Sequence, residues 1–329
     1  MIRIGARASA LARRQAEIVE DALKRAWPGL CTEIRAYSSD GDRDQLRSLP
    51  EIGGKGLFTA DIEQALRAGE IDLAVHSLKD MPICSNDGSN GLSIGAILAR
   101  EEAGDVLVSR HGLPLAQLPP GARIGTCSPR RAAQLLAHRP DLGILPLRGN
   151  IETRLRKSAS CEYDGIILAA AGLIRLGRAS AITEWLSIDI MLPAPGQGAL
   201  AVQCRGDDLA TLESLWPLHD PLTAAAVNAE RAFLGELGGG CAAPVAAYAT
   251  CLPAEGGLDA RLWLRGAVSG PVAEICGESR IEPHAGVGTG ERRLLRVSVT
   301  GELHEPYGLG RRAASEALAA GALALMEGR

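Results

Sequence analysis

The stretch Leu73-Ala74-Val75-His76-Ser77-Leu78-Lys79-Asp80-Met81-Pro82 passes from an apolar strand to a polar turn. Its first three residues are typical of a buried strand. Lys79 and Asp80 cannot both be buried in a core, because charged side chains are almost never fully buried unless they are paired. Polar groups just beyond buried strands are typical of ligand sites in α/β proteins. The stretch therefore predicts a site at a strand end, with Asp80 a better candidate for acid–base or cation-stabilising work than His76.

The first two-thirds of the chain repeats this alternation of short apolar strands and amphipathic helices. Strands are predicted at residues 2–4 and 32–37, for example, and Ser9 is a plausible N-cap for a helix that reaches residue 26. After about residue 217 the pattern changes to a helix, alternating strands and one final helix over residues 311–326. The sequence thus predicts α/β units followed by a separate α+β domain at the C-terminal end.

Composition narrows the class of protein. A chain of 329 residues is expected to form two or three domains. Its formal net charge of −4 and aromatic content of 3% disfavour a nucleic-acid partner. No signal peptide and no bilayer-spanning apolar run are apparent, and the eight cysteines form no CxxC pair. We therefore expect a cytoplasmic protein with neither a membrane partner nor a metal ion.

Several runs place cations beside glycines or at strand-to-helix turns. Arg7 and Ser9 follow the first strand, where free N–H groups of a helix N-terminus favour anions. Taken alone, this run is better explained by a capping serine and a surface arginine. Lys55 lies in Gly53-Gly54-Lys55-Gly56, which is either an anion-binding loop or a surface turn. This glycine run lacks the spacing of a phosphate-binding P-loop.

Arg130 and Arg131 lie in Gly125-Thr126-Cys127-Ser128-Pro129-Arg130-Arg131, in the first turn of a predicted helix. Cations are unfavourable there because of the helix dipole, so an anionic ligand is indicated, with two solvated arginines as the alternative. Arg148, Arg154 and Arg175 also lie near turns that follow strands. Together with Arg7 these residues predict a basic cleft for a polycarboxylate.

Two glycine-rich runs remain. Gly196-Gln197-Gly198-Ala199-Leu200-Ala201 formally fits a dinucleotide-binding pattern, but it leads into a strand and is better interpreted as a crossing or hinge segment. Gly238-Gly239-Gly240-Cys241 places a cysteine at the tip of a loop. For most cysteines a small buried residue is the simpler interpretation.

The runs HSLKDMP, GTCSPRR, LRGNIETRL, PGQGALAVQCR and GGGCAAP, in this order, resemble the hydroxymethylbilane synthase (porphobilinogen deaminase) family over nearly the whole chain. The resemblance implies two lobes like those of periplasmic binding proteins, joined by hinge crossings, and a small C-terminal α+β domain. The implied domains are residues 1–98 with 193–217, residues 99–192, and residues 218–329.

The resemblance also implies an activity. Four porphobilinogen molecules are joined head to tail on a dipyrromethane cofactor, which a thioether attaches to Cys241, and hydroxymethylbilane and four ammonia molecules are released. Asp80 is the implied catalytic residue, stabilising the azafulvene cation formed as ammonia leaves. The implied cofactor-binding residues are Cys241, Lys79, Asp80, Ser128, Arg130, Arg131 and Arg154. The implied substrate-binding residues are Arg7, Ser9, Gln15, Lys55, Arg148, Arg154, Arg175 and Gln197.

Two other functions are weighed against this one. A non-catalytic two-lobed anion-binding protein would explain the arginines, but not Cys241 or the Lys79-Asp80 pair. A nucleotide-dependent enzyme would depend on the Gly196 run. The family resemblance further leads us to expect a monomer whose partner is the small-molecule substrate.

Overall fold

The computed structural model describes residues 1–37, 59–83, 91–239, 243–253, 260–271 and 294–328. The chain divides into two compact units. Unit 1 comprises Met1–Glu101 and Gly198–Ala224, and unit 2 comprises Glu102–Gln197 and Ala225–Arg329.

The strands and helices follow one another in the order that the alternating pattern predicts. The first half contains β1 (Ile2–Arg7), α1 (Ala10–Ala26), β2 (Thr32–Tyr37), α2 (Ala60–Arg67), β3 (Leu73–Ser77), β4 (Leu92–Ile97), β5 (Asp105–Ser109), β6 (Arg123–Gly125), α3 (Pro129–His138), β7 (Gly143–Leu145) and α4 (Ile151–Ser158). The second half contains β8 (Gly165–Ala169), α5 (Ala170–Arg175), β9 (Glu184–Trp185), β10 (Leu200–Arg205), α6 (Leu209–Leu215), α7 (Pro221–Glu236), β11 (Val245–Leu252), β12 (Arg261–Ser269), β13 (Leu294–Glu302), α8 (Pro306–Ala319) and α9 (Ala322–Met326).

Unit 1 is built on a five-stranded sheet of order β2-β1-β3-β10-β4. β1 runs parallel to β2 and β3, whereas β10 is antiparallel to both of its neighbours. Helix α1 covers one face, because Val19 and Leu23 fall on one side of the helix and pack against Ile4 and Val75. Each such buried side chain contributes about 1.5–3 kcal/mol. The parallel strands therefore end at one edge of a well-packed sheet.

Unit 2 contains a second five-stranded sheet, of order β7-β6-β8-β5-β9. Its strands β6, β7 and β8 are parallel, and β5 is antiparallel to β8 and β9. Leu107, Ile124, Leu135 and Ile167 lie in the core between this sheet and α3. Here too, three parallel strands present their carboxyl ends at a shared edge.

Unit 2 also contains the three-stranded antiparallel sheet β11-β12-β13. The fully buried Phe233 of α7 lies so close to Gly266 that a Cβ there would be 2.6 Å from its ring. The prediction of one final helix is wrong at residue 321. Gly321 adopts φ +95°, a left-handed conformation that ends α8 and separates it from α9.

The prediction of α/β units followed by a small α+β part is confirmed by these three sheets. The three-domain boundaries stay a prediction, since unit 2 contains both the second five-stranded sheet and the C-terminal one. The run from Gly196 to Gly198 leads into strand β10, and both glycines have positive φ. A dinucleotide motif must open a helix, so the nucleotide hypothesis loses its structural basis.

Candidate active site

The carboxyl ends of β1 and β3 form a pocket in unit 1. β1 ends at Arg7, and β3 ends at Ser77 just before a short 3-10 helix over Leu78–Asp80. The cavity of this pocket has a volume of about 60 Å³ and opens to solvent. Its polar lining includes Arg7, Ser9, Gln15, His76, Ser77 and Asp80. A cation, an anion and several neutral donors thus share one pocket.

Helix α1 is tied to this pocket at two points. Ser9 is its N-cap, accepting a hydrogen bond from the backbone N–H of Ala12 at 3.3 Å. One and a half turns later, Gln15 is 3% exposed and donates a 2.8 Å hydrogen bond to the Ser77 hydroxyl. The predicted pocket residues Ser9 and Gln15 therefore lie together, and Gln15 fixes the end of β3.

His76 forms the buried floor of the pocket. Its Nε2 lies 3.2 Å from the side-chain oxygen of Gln203 on β10. Burial lowers the pKa of His76 to about 4. The hydrogen bond to Gln203 opposes this change, and the nearby charge of Arg7 adds to it. The imidazole is therefore neutral near pH 7, which favours the structural interpretation of this histidine.

Asp80 is the exposed end of the polar turn, and Lys79 beside it is half-buried. The pair therefore stays out of the core, as its sequence predicts. Because His76 is neutral, the carboxylate of Asp80 is the group in this pocket suited to stabilising a developing cation.

The predicted arginines of unit 2 lie beyond its three parallel strands. Arg130 and Arg131 follow β6, Arg148 and Arg154 follow β7, and Arg175 ends the helix that follows β8. Ser128 caps α3 by accepting from the backbone N–H of Arg131 at 3.4 Å. Since β6, β7 and β8 are parallel, the segments that carry these cations all begin at one edge of the sheet. The Nε of Arg154 donates to the Gly149 carbonyl oxygen at 2.7 Å, which holds this side chain against the preceding turn.

Arg130 and Arg131 are buried, so the alternative of two solvated arginines is wrong. They are 5% and 7% exposed, and both donate to the carboxylate of Asp105, with shortest N–O distances of 2.7 Å. Although burial alone would raise it, the charges of the two arginines hold the pKa of Asp105 below its usual range.

Sequence reasoning missed Asp105, Ser77 and Thr59 at these places. The only local signal for Asp105 is an acidic residue that opens an otherwise apolar strand, Asp105-Val106-Leu107-Val108. Ser77 lies in the run HSLKDMP, but the sequence assigns it no role. Thr59 lines the pocket of unit 1, and its buried hydroxyl makes no hydrogen bond with the described residues.

Gln197 lies inside unit 2, 1% exposed. Its amide donates to the carbonyl oxygen of Ala103 at 2.7 Å and to Asp105 at 2.9 Å. Its contact with substrate stays a prediction, since its observed contacts are with the protein. Lys55 and Cys241 lie outside the described residues.

The described part of the chain contains no cluster of three or more His, Cys, Asp or Glu side chains that could hold a metal ion. None of its helices is long and apolar enough to cross a membrane.

Family models match both parts of the chain. Residues 2–213 match "Porphobilinogen deaminase, dipyromethane cofactor binding domain", and residues 224–319 match "Porphobilinogen deaminase, C-terminal domain". A solved periplasmic binding protein from Salmonella typhimurium shares 15% identity with this chain, with a TM-score of 0.35. The match covers 68% of this chain and 93% of that protein.

Curated relatives give the stronger comparison. Porphobilinogen deaminase of Roseiflexus castenholzii is 44% identical over 99% of this chain and 98% of its own length. That of Syntrophobacter fumaroxidans is 44% identical over 99% and 97%, respectively. That of Syntrophotalea carbinolica is 54% identical over 76% and 78%. The similarity thus extends over both units.

Proposed function

The chain belongs to the porphobilinogen deaminase family, and we propose that Asp80 is its catalytic residue and that Cys241 holds its dipyrromethane cofactor through a thioether. The enzyme is a transferase with hydroxymethylbilane synthase activity in porphyrin biosynthesis. It joins four porphobilinogen molecules head to tail and releases hydroxymethylbilane and four ammonia molecules. The non-catalytic alternative is therefore wrong. The observation that supports the role of Asp80 is its place beside Arg7 in one pocket.

The donor set of the pocket fits a pyrrole that carries acid side chains. The guanidinium of Arg7 and the hydroxyls of Ser9 and Ser77 can donate hydrogen bonds to the acetate and propionate groups. The carboxylate of Asp80 can accept a hydrogen bond from a pyrrole N–H. When bound, the dipyrromethane supplies the pyrrole carbon to which the first substrate is joined. In the proposed arrangement, Lys79, Ser128, Arg130, Arg131 and Arg154 hold the acid groups of this cofactor.

Asp80 acts where positive charge develops on the substrate. The C–N bond of the protonated aminomethyl group breaks, its electron pair leaves with ammonia, and the positive charge passes to the pyrrole ring and methylene carbon. The acceptor pyrrole carbon then forms a C–C bond to that methylene and loses its proton. A fixed carboxylate stabilises the cation and accepts a hydrogen bond from the pyrrole N–H. Such electrostatic groups typically contribute about 10²–10³-fold to kcat.

The remaining polar groups orient the substrate. We assign this role to Arg7, Ser9 and Gln15 in unit 1, and to Arg148, Arg154 and Arg175 in unit 2. Guanidiniums bind carboxylates in a bidentate fork, which fixes orientation as well as charge. Lys55 and Gln197 complete the proposed substrate set from the sequence alone.

Intact-mass measurement tests the cofactor assignment. Purified active protein is expected to carry a mass increment of two pyrrole units, and Cys241→Ser should remove it together with ammonia release from porphobilinogen. Cys251→Ser is the control, since Cys251 is a half-buried cysteine of β11 to which no cofactor role is assigned, and this substitution should leave the increment in place. Active protein with the bare polypeptide mass would refute the assignment.

We also propose that the enzyme works as a cytoplasmic monomer without a nucleic-acid or membrane partner. Its net charge of −4 supports the absence of a nucleic-acid partner. Light scattering of the purified chain tests the oligomeric state, and a dimer mass at micromolar concentration would contradict it.

A further inference from the structure

Two guanidiniums of unit 2 share one carboxylate. Arg130 donates from Nη1 to one oxygen of Asp105 at 2.7 Å. Arg131 donates to the other oxygen from Nε at 3.2 Å and from Nη2 at 2.7 Å. Asp105 is fully buried, and the arginine side chains are only 6% and 8% exposed. Asp105, Arg130 and Arg131 thus form a buried cluster, the Asp105 triad.

The Asp105 triad holds one unmatched positive charge. Both guanidiniums are protonated and Asp105 is ionised, so two positive charges face one negative charge. The other groups bonded to the triad are neutral: the Gln197 amide and the carbonyl oxygens of Leu192 and Ile167. Burial lowers the pKa of Arg130 even though Asp105 opposes the change. Because an unpaired buried charge is costly, the triad is suited to one further anion.

The two arginines differ in what they leave for that anion. Arg131 already donates from all three of its nitrogens, to Asp105 and to the carbonyl oxygen of Ile167. Arg130 uses only Nη1, for Asp105 and Leu192, and its Nε and Nη2 donate to none of the described residues. The Nε–Nη2 edge of an arginine is one of its bidentate faces for a carboxylate.

We infer that Asp105 is a positioning residue, which neutralises one guanidinium and holds Arg130 with its Nε–Nη2 edge available for a single carboxylate of the cofactor. The pair of arginines then takes one ligand carboxylate rather than two. Arg130 binds it, and Arg131, whose nitrogens already donate to the protein, acts on it through its charge alone. Gln197 is fixed to the same carboxylate and supports its orientation. This inference depends on the proposed cofactor function.

A matched pair of substitutions separates positioning from stability. Asp105→Asn removes the shared charge. Asp164→Asn is the control, since Asp164 is also nearly buried in unit 2 and pairs with Arg123 at 3.1 Å and Arg110 at 3.2 Å. Both variants should lower Tm. The second readout is the rate of cofactor loading, measured as the gain of the two-pyrrole mass when cofactor-free chain is incubated with porphobilinogen. Only Asp105→Asn should lower this rate, by about tenfold or more.

Asp105→Glu, which keeps the charge, should restore part of that rate. Equal cofactor loading in Asp105→Asn and Asp164→Asn would overturn the inference, whereas a wild-type chain without the mass increment would overturn the proposed function instead.

Arginine variants give a second test, which stands even if Asp105→Asn does not fold. Lysine keeps the charge but lacks the bidentate edge. Arg130→Lys should therefore slow cofactor loading about tenfold with a small loss of Tm, and Arg131→Lys should lower Tm more than loading. Equal effects of the two substitutions on both readouts would contradict the assignment.

Discussion

The side-chain amide of Gln15 donates a 2.8 Å hydrogen bond to the hydroxyl of Ser77. The bond joins the first two turns of α1 to the last residue of β3, three residues before Asp80. Both side chains line the pocket, and Gln15 is almost fully buried. The position of the turn that carries Asp80 thus depends on a contact between residues 62 positions apart in the chain.

Gln15→Ala should therefore reduce kcat/KM more than it reduces stability. Loss of one hydrogen bond costs about 1 kcal/mol of unfolding free energy, whereas a small displacement of reacting groups costs about tenfold or more in rate. Thr32→Val is the control, because it removes a bond to Glu20 in the same unit, outside the pocket lining. Ammonia release and urea unfolding measure the two effects. A Gln15→Ala enzyme with the kinetics of Thr32→Val would contradict the positioning role.

Local sequence patterns predict which groups line the site, but not their partners. The polar residues after β1 and β3 could be placed at strand ends because the apolar-to-polar change lies within each motif. The pairing of His76 with Gln203 depends on sheet order, since β10 inserts between β3 and β4 from more than 100 residues away. The pairing of Arg130 with Asp105 depends on the order of the other five-stranded sheet, in which β8 lies between β6 and β5. The break at Gly321 was missed because the apolar spacing continues across it, and only the backbone conformation ends the helix.

Asp80→Asn should lower kcat by about 10²–10³-fold, because an amide keeps the shape of the side chain but cannot neutralise the substrate cation. Since Asp80 is exposed, its unfolding free energy should change by no more than about 0.5 kcal/mol. Single-turnover ammonia release measures the effect on the C–N bond cleavage. The exposed Asp21 of α1 provides the control, and Asp21→Asn should retain normal turnover. Near-normal turnover in Asp80→Asn would exclude the electrostatic role.

His76 should make the protein less stable in acid. Its pKa is about 4 in the folded chain and 6.5 in the reference state, so between these values the unfolded chain binds the extra proton. Stability attributable to His76 is thus fully present above pH 6.5 and is lost as pH falls towards 4, by up to about 3 kcal/mol.

Urea unfolding of wild-type and His76→Gln protein at several pH values between 4 and 7 measures this contribution as a difference. The variant has no group to protonate at this position, so its unfolding free energy should fall less steeply with decreasing pH. Parallel curves for the two proteins would show that the imidazole is not buried in its neutral form.

Arg175 should affect elongation more than cofactor attachment. It ends helix α5, which follows β8, and we assign it to the substrate rather than to the cofactor. Arg175→Leu should therefore retain the two-pyrrole mass but accumulate shorter enzyme-bound chains, because each added unit brings two carboxylates that need cations. Arg178→Leu is the matched control, since Arg178 is exposed three residues further along. Intact-mass spectra after brief incubation with porphobilinogen display the distribution of chain lengths. If Arg175→Leu and Arg178→Leu gave the same distribution as the wild type, Arg175 would have no part in elongation. If Arg175→Leu lacked the two-pyrrole mass, the role of Arg175 would lie with the cofactor.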